Sequence, residues 1–410
     1  MKKKERKKFK FNAPDEPINL NIPDDEIWTY KIEGLAAPHI NKERKHYAIK
    51  KFVFAISIII AVSLSAYFSV RTVQNDTFDY VELSDNAYMF SKFNNSGYIT
   101  TVDIDFVSSL EYDKNNPDVN TNFRIIKDET KPITEIREYA FNCDQKVEVI
   151  NIGANVLKID GKSFYSCWSL QRIEVDEANP NYCDIDGVLY NKDKTKLICY
   201  PCDHDTYLVS KYGYEDRRNS DNRRIEPEGD EFEQFKTDVL TYVVPSSVTT
   251  IGELAFNYAD MISVYLPEGL REIEPLAFFK IPRLENVYSY KSDNINDSHL
   301  TDEKHLGEIY LSLPEGLEYI GSDAFSYNQA MTYIYIPDSV KYIGHHAFWD
   351  TIYKNKSTKQ LTGITVINTA LSEEDFDELE LGDQWKPQYD YLLFKRNIEI
   401  NYSAQRQAIN

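Results

Sequence analysis

The 410-residue sequence holds no G-x-S-x-G, H-E-x-x-H or P-loop phrase. It therefore lacks the common signs of a serine hydrolase, a zinc protease or a phosphate cradle. Basic charge is also short, with 46 Lys and Arg against 66 Asp and Glu, a net of −20. A phosphate backbone calls for a basic surface, so nucleic acid is not an expected partner. Glycine and proline number only 15 and 16, too few for a low-complexity chain. Cysteine stops at five: Cys143, Cys167, Cys183, Cys199 and Cys202. An odd count permits a disulfide, leaves at least one thiol over and fixes no pairing.

Charged residues are missing altogether from FVFAISIIIAVSLSAYFSV, residues 52–70. Nineteen residues make a helix of roughly 28 Å, close to the thickness of a bilayer's hydrocarbon core. Residues 1–51 carry 13 Lys and Arg against 8 Asp and Glu, while the rest of the chain carries 33 against 58. A cleaved signal peptide has a short basic head and a small-residue cleavage site. Here about fifty residues come first, so an uncleaved signal-anchor is expected. A core helix would show a polar stripe, and this run shows only scattered serines. By the positive-inside rule the basic tail stays cytoplasmic and residues 72–410 face the exterior. The tail opens MKKKERKKFK, which suits anionic headgroups, although a disordered tail that sets topology is the plainer reading.

The outer part repeats itself. PSSVTTIGELAF (245–256), PEGLREIEPLAF (267–278), PEGLEYIGSDAF (314–325) and PDSVKYIGHHAF (337–348) share one phrase, with Pro and Phe always 11 apart. Looser copies, ITEIREYAF (133–141) and VLKIDGKSF (156–164), bring the count to six. Phe141, Phe164, Phe256, Phe278, Phe325 and Phe348 are spaced 23, 92, 22, 47 and 23 apart, so degenerate coils or insertions fill the long gaps. Short strand patterns follow the boxes: LQRIEV (170–175), MISVYL (261–266), LENVYS (284–289) and MTYIYI (331–336). A unit this small buries its apolar face only against a neighbour, which predicts coils stacked into parallel sheets with the phenylalanines in one continuous file. Proline after a strand ends it, because it cannot donate to a ladder.

The I-G-x-x-A-F box, the L-x-x-I-x-I strand and its closing proline resemble the BspA-like class of leucine-rich repeat, found in surface proteins. NPNYCDIDGVLYNKDKTKLICYP (179–201) is similar to the unit often interleaved with such repeats. The likeness runs from about 97 to 370. It departs where Ser163 replaces alanine and where the extra residues KNKSTKQ precede Leu361. It implies a β-rich solenoid with a binding or adhesive surface and names no ligand. The expected organisation is a basic tail (1–51), a transmembrane helix (52–70) and a β-rich N-terminal cap (71–130). A solenoid (131–370), with insertions near 179–240 and 291–308, and a C-terminal cap (371–410) complete it. GYITTVDIDF (97–106) and YDYLLFKRNIEINY (389–402) read as capping strands.

Several phrases imitate catalytic or metal sites. DIDGVLYN (184–191) matches the nucleophile motif of haloacid-dehalogenase-like phosphatases, but polar, turn-like residues precede it where that chemistry needs a buried strand. A hairpin turning at Asp186-Gly187 accounts for it better. CYPC (199–202) has redox spacing without a βαβ context. His345-His346 lacks further ligands at metal spacing. EEDFDELELGD (373–383) reads as an acidic helix, not a calcium loop, and residues 214–235 read as an exposed insertion. No catalytic, metal or cofactor site is expected.

One surface stands out. Strand side chains alternate, so inward-facing Val264, Leu266, Val287, Ile309, Leu311, Ile334 and Ile336 leave Tyr265, Tyr288, Tyr310, Tyr333 and Tyr335 outward, with Tyr290 just beyond. Tyrosine offers amphipathic contact area at low entropy cost, so these six are the candidate ligand residues, although tyrosine also simply favours strands. The earlier coils present Asn151, Glu174 and Asp176 there instead. The expectation is a single-pass surface protein that grips an extracellular protein or glycan, with a cell-envelope scaffold as the alternative and an enzyme the least favoured.

Overall fold

The structure, a computed structural model, describes residues 71–74, 77–83, 87–94, 99–112, 123–142, 144–220, 224–292, 306–354, 361–364, 366–387 and 398–409. The expected tail (1–51) and membrane helix (52–70) lie outside these residues. Among the described residues no helix is long and apolar enough to cross a membrane.

Parallel pairing between successive coils organises the chain, in two stacks. In the first, Thr101–Ile104, Val149–Ile152 and Arg172–Val175 form a parallel outer sheet. Behind it the long strand Phe123–Ile136 pairs in parallel with Tyr88–Phe93 and with Lys158–Ile159. In the second stack, the two-residue strands Thr250–Ile251, Glu272–Ile273, Tyr319–Ile320, Tyr342–Ile343 and Glu380–Leu381 run in parallel along one side. Thr241–Val243, Ser263–Pro267 and Asn286–Ser292 run in parallel along the other, and Ile334–Ile336, Val366–Thr369 and Glu399–Asn401 make a further parallel group.

The glycine of the box has a packing reason. A Cβ on Gly344 would lie 2.4 Å from the backbone of Ser322, and one on Gly321 would lie 2.4 Å from Pro275 N. Only a hydrogen lets successive coils come that close. Alanine and phenylalanine of each strict box are fully buried. Phe256, Phe278, Phe325 and Phe348 stack nearly parallel, with centroids 4.8, 5.0 and 5.4 Å apart.

The expected single file of phenylalanines is two files. Phe141 and Phe164 stack at 5.9 Å in the first core, and the other four belong to the second. Among its described residues the 92-residue gap has one stand-in coil strand, Lys196–Cys199, which pairs in parallel with Thr250–Ile251. It holds the meander Tyr182–Ile185, Val188–Asn191 and Lys196–Cys199, followed by the helices His204–Tyr212 and Asp230–Val239. The meander is a shared wall. Leu189 and Ile198 pack into the first core, and Val188, Tyr190 and Leu197 into the second. Strand alternation thus lets one sheet serve both sides. Tyr200 then takes a phenylalanine's place against Phe256, at 5.3 Å.

The stretch 214–235 is largely exposed among its described residues, as expected, with two residues drawn inward. Phe235 and Val239 pack with Leu208, Val209 and Ile262 in a small core. Arg224 is drawn inside and pairs with buried Asp205 at 2.8 Å. The acidic run near 373 is helical over Glu373–Asp377, where the Ser372 hydroxyl accepts from Asp375 N–H as an N-cap.

The 47-residue gap is bridged by a hairpin instead of a repeat strand. Leu306–Tyr310 runs antiparallel to Asn286–Ser292. The expected inward Ile309 and Leu311 are therefore only half-buried, and Leu313 fills the core position.

Candidate functional site

The six tyrosines expected on an open sheet do not form one. Tyr265, Tyr290 and Tyr335 are 8%, 1% and 3% exposed. Tyr265 and Tyr290 build a small core with Val243 on the outer side of the sheet, with Tyr288 and Ile309 packed against it. Tyr265 and Tyr288 stack at 4.7 Å, and the Tyr290 hydroxyl donates to Val244 O at 2.6 Å. Tyr335 donates to Ala404 O at 3.2 Å, and Tyr310 lies under Arg406. Tyr288, Tyr310 and Tyr333 stay half-buried. The physical reason is that a row of large rings on a flat sheet is itself apolar surface, so the rings pack on one another and on Ile309, while Ala404 and Arg406 meet Tyr335 and Tyr310.

A second aromatic row lies at the turns. Each of the four strict boxes is followed by a ring one or two residues past its phenylalanine, and these rings, with Trp168 four residues past Phe164, touch edge to face from coil to coil. Trp168 meets Tyr258 at 4.2 Å, Tyr258 meets Phe279 at 6.2 Å, Phe279 meets Tyr327 at 5.4 Å and Tyr327 meets Trp349 at 5.3 Å. The ring of His346 continues the row against Trp349 at 5.1 Å. Trp168 is 42% exposed and the others are half-buried. Tyr139 and Tyr165 make a similar pair at 6.0 Å on the first stack. The row therefore passes the junction between stacks where the buried phenylalanine file breaks.

The backbone beneath the row is unusual. Leu254, Leu276, Asp323 and His346 precede their phenylalanines by two residues, and Tyr258, Lys280, Tyr327 and Asp350 follow by two; all eight have φ between 50° and 64°. That left-handed region costs a side-chain-bearing residue roughly 1–2 kcal/mol. The coil geometry demands it, because Tyr258 N–H donates to Phe279 O, Lys280 N–H to Ser326 O and Tyr327 N–H to Trp349 O, each linking one coil to the next. Glycine or asparagine would fit at lower cost, yet two of the four trailing positions carry tyrosine. Lys280 lies 4.9 Å from the centre of the Tyr258 ring and 6.0 Å from that of Tyr327, adding a cation to the row's face. Reading strands with a period of two could not find these residues. The signal that could is the aromatic recurring just after each strict box.

The tempting motifs have structural partners. Asp184 accepts from Val175 N–H at 2.9 Å, and Asp186 and Gly187 turn the hairpin with φ of 51° and 84°. Asp186 pairs with Lys211 at 2.9 Å. Cys167, Cys183, Cys199 and Cys202 are free thiols. Burial pushes the Cys202 thiol up to about 12 and Cys199 well above its usual range, opposite to the shift that makes a thiolate nucleophile. His345 and His346 lie ring to ring at 3.7 Å.

No curated protein matches the chain. Among solved structures, a leucine-rich repeat protein from Eubacterium ventriosum is 13% identical, covers 82% of this chain and 96% of its own, and superposes with a TM-score of 0.33. A leucine-rich cell surface protein from Faecalibacterium prausnitzii is 14% identical over 76% of this chain and 97% of its own, TM-score 0.34. The pneumococcal vaccine antigen PcpA is 14% identical over 77% of this chain and 98% of its own, TM-score 0.31. The model of the BspA-type leucine-rich repeat region matches six copies, over residues 70–186 and 230–354. With more than half of its length matched, the chain belongs to the BspA-type leucine-rich repeat family.

Proposed function

We propose that this is a surface recognition protein, a leucine-rich-repeat ectodomain held to the membrane by residues 52–70, which binds an extracellular protein or glycan. The observation that carries the reading is the half-exposed aromatic row from Trp168 to Trp349. Aromatic rings present rigid area at little entropy cost, and edge-to-face spacing along a row suits an extended ligand better than a compact one. The strained backbone under Tyr258 and Tyr327 supports it, since a purely structural turn is cheaper without them.

The test is a glycan and matrix-protein binding screen on the intact chain, repeated with Trp168→Ala, Tyr258→Ala and Tyr327→Ala together. Binding lost with the melting curve preserved supports the row as the contact face. Binding unchanged in the triple variant removes it. Protease treatment of intact cells tests the anchor: loss of the repeat region with a protected N-terminal remnant is the expected outcome.

A further inference from the structure

Residues 402–409 run to the edge of the outer sheet of the second stack, with Tyr402 packed on Phe376 and the Tyr335 hydroxyl donating to Ala404 O. Ser403 N–H donates to Leu371 O, Ala404 N–H to Thr369 O and Leu311 N–H to Gln407 O, at 2.9, 2.8 and 3.0 Å. Ala408–Ile409 adds a two-residue antiparallel pairing to Leu306–Tyr310. Ser403, Gln405, Gln407, Ala408 and Ile409 are exposed. Arg406 is the contrast, with its side chain 11% exposed.

The guanidinium of Arg406 sits in a fitted receptor. Its Nε donates to Ser312 Oγ at 2.8 Å, and Nη2 reaches the Glu268 carboxylate and Ser289 Oγ. Nη1 lies 3.4 Å from Glu315, and Cζ stands 3.7 Å from the centre of the Tyr310 ring. The receptor is also braced without Arg406. Glu268 accepts from Glu315 N–H at 2.8 Å, and buried Ser289 and Ser312 meet at 2.9 Å. Two carboxylates, two hydroxyls and an aromatic face match a planar fork of donors and would leave an ammonium underused. Tyr402 packs on Phe376 at the start of the segment, and Arg406 is its deeply drawn charged side chain.

We infer that Glu268, Ser289, Tyr310, Ser312 and Glu315 form a binding site for an extended, arginine-bearing peptide of a partner protein, a site that residues 403–409 of this chain occupy themselves. The incoming peptide adds as a strand along Leu306–Tyr310 and puts its arginine where Arg406 lies, a form of β-augmentation. Because none of these residues belongs to the aromatic row, the site stands or falls apart from the proposed function.

The experiment uses the full chain and a fluorescein-labelled synthetic peptide of residues 403–409, read by anisotropy. Arg406→Ala, which empties the receptor, is expected to bind the peptide at least tenfold more tightly than the unaltered chain. The same peptide carrying Arg406→Ala, or the chain carrying Glu268→Gln as well, is expected to lose at least tenfold. Arginine-independent binding, or none, to a chain whose melting curve shows it folded overturns the site. Should Arg406→Ala fail to fold, hydrogen exchange in the unaltered chain decides: excess arginine peptide must speed exchange at Ala404 and the alanine peptide must not, and equal rates overturn the inference. A molar mass that doubles with concentration in the unaltered chain but not in Arg406→Ala overturns the partner peptide in favour of a second copy of the chain.

Discussion

The two stacks spell the same box and bury the same residues, yet their outer sheets behave in opposite ways. On the first stack the mid-strand position is Asp103, Asn151 and Glu174, paired in register. Asn151 donates to Asp103 at 2.7 Å, Lys127 pairs with Asp103 at 2.8 Å and Arg172 with Glu174 at 2.7 Å. Burial raises the Asp103 carboxyl pKa, but the hydrogen bonds from Lys127 and Asn151 outweigh it and hold the group below its ordinary value. On the second stack the same position carries Tyr265 and Tyr288, which pack with Val243, Tyr290 and Ile309 into a small core of their own. A polar ladder stays open to water because covering it strips hydration for little return. An aromatic ladder gains from any cover the chain can supply. The lesson is that repeat residues fix the inside of a solenoid, while the residues between them decide which outer face stays available.

The comparison can be broken hardest at the core. Phe278 is packed between Phe256 and Phe325, whereas Phe164 stacks on Phe141 at 5.9 Å beside the break in the file. Phe278→Ala is expected to cost about 3–5 kcal/mol by urea unfolding, with Phe164→Ala costing less. Equal losses would mean the break has no energetic meaning.

Next comes the outer sheet itself. Tyr290→Ser removes a fully buried ring and its hydrogen bond to Val244 O and is expected to cost about 2–4 kcal/mol. Asn151→Ser, on the polar ladder, should stay within about 1 kcal/mol. Thermal melts of the two variants compare the faces directly, and a tolerant Tyr290 would mean the tyrosines are not a second core.

The junction between stacks carries a pH signature. His204 is buried, its Nδ1–H donates to Gln171 O at 2.7 Å, and burial pushes its pKa from 6.5 down to about 4. A folded pKa below the unfolded one contributes stability that is present above pH 6.5 and lost as pH falls toward 4. The whole effect is about 3 kcal/mol. Burial raises neighbouring Asp205 from 3.8 to about 7, so its contribution is full below pH 3.8 and fades as pH rises toward 7. The two slopes oppose each other in the wild type. Comparing it with His204→Gln between pH 7 and pH 4.5 isolates the histidine, and identical acid dependence of the two proteins would refute its role.

The smallest effect lies on the turn row. Tyr327→Gly relieves a residue at φ 64°, a gain of about 1 kcal/mol, set against its lost contacts with Phe279 and Trp349. A net change within about 1 kcal/mol, together with weakened ligand binding, would separate the row's function from its structural share.

The box itself determined a great deal. Paired aliphatics, Ile-Gly and Ala-Phe recurring at one spacing required stacked coils, because a unit of two dozen residues has no other way to bury them. Parallel register, the buried aliphatic-Phe sets and the turn at Asp186-Gly187 were legible for that reason, each being a local pattern with one packing solution. Tertiary structure decided the rest. Whether Tyr265 meets water depends on Val243, Tyr288, Tyr290 and Ile309, brought beside it by neighbouring strands. The shared wall of the meander depends on alternate residues finding two different cores. The left-handed turns at Tyr258 and Tyr327 follow from coil-to-coil hydrogen bonds that no local propensity announces. Alternation along a strand says which side chains lie opposite one another; only the folded chain says what arrives to cover them.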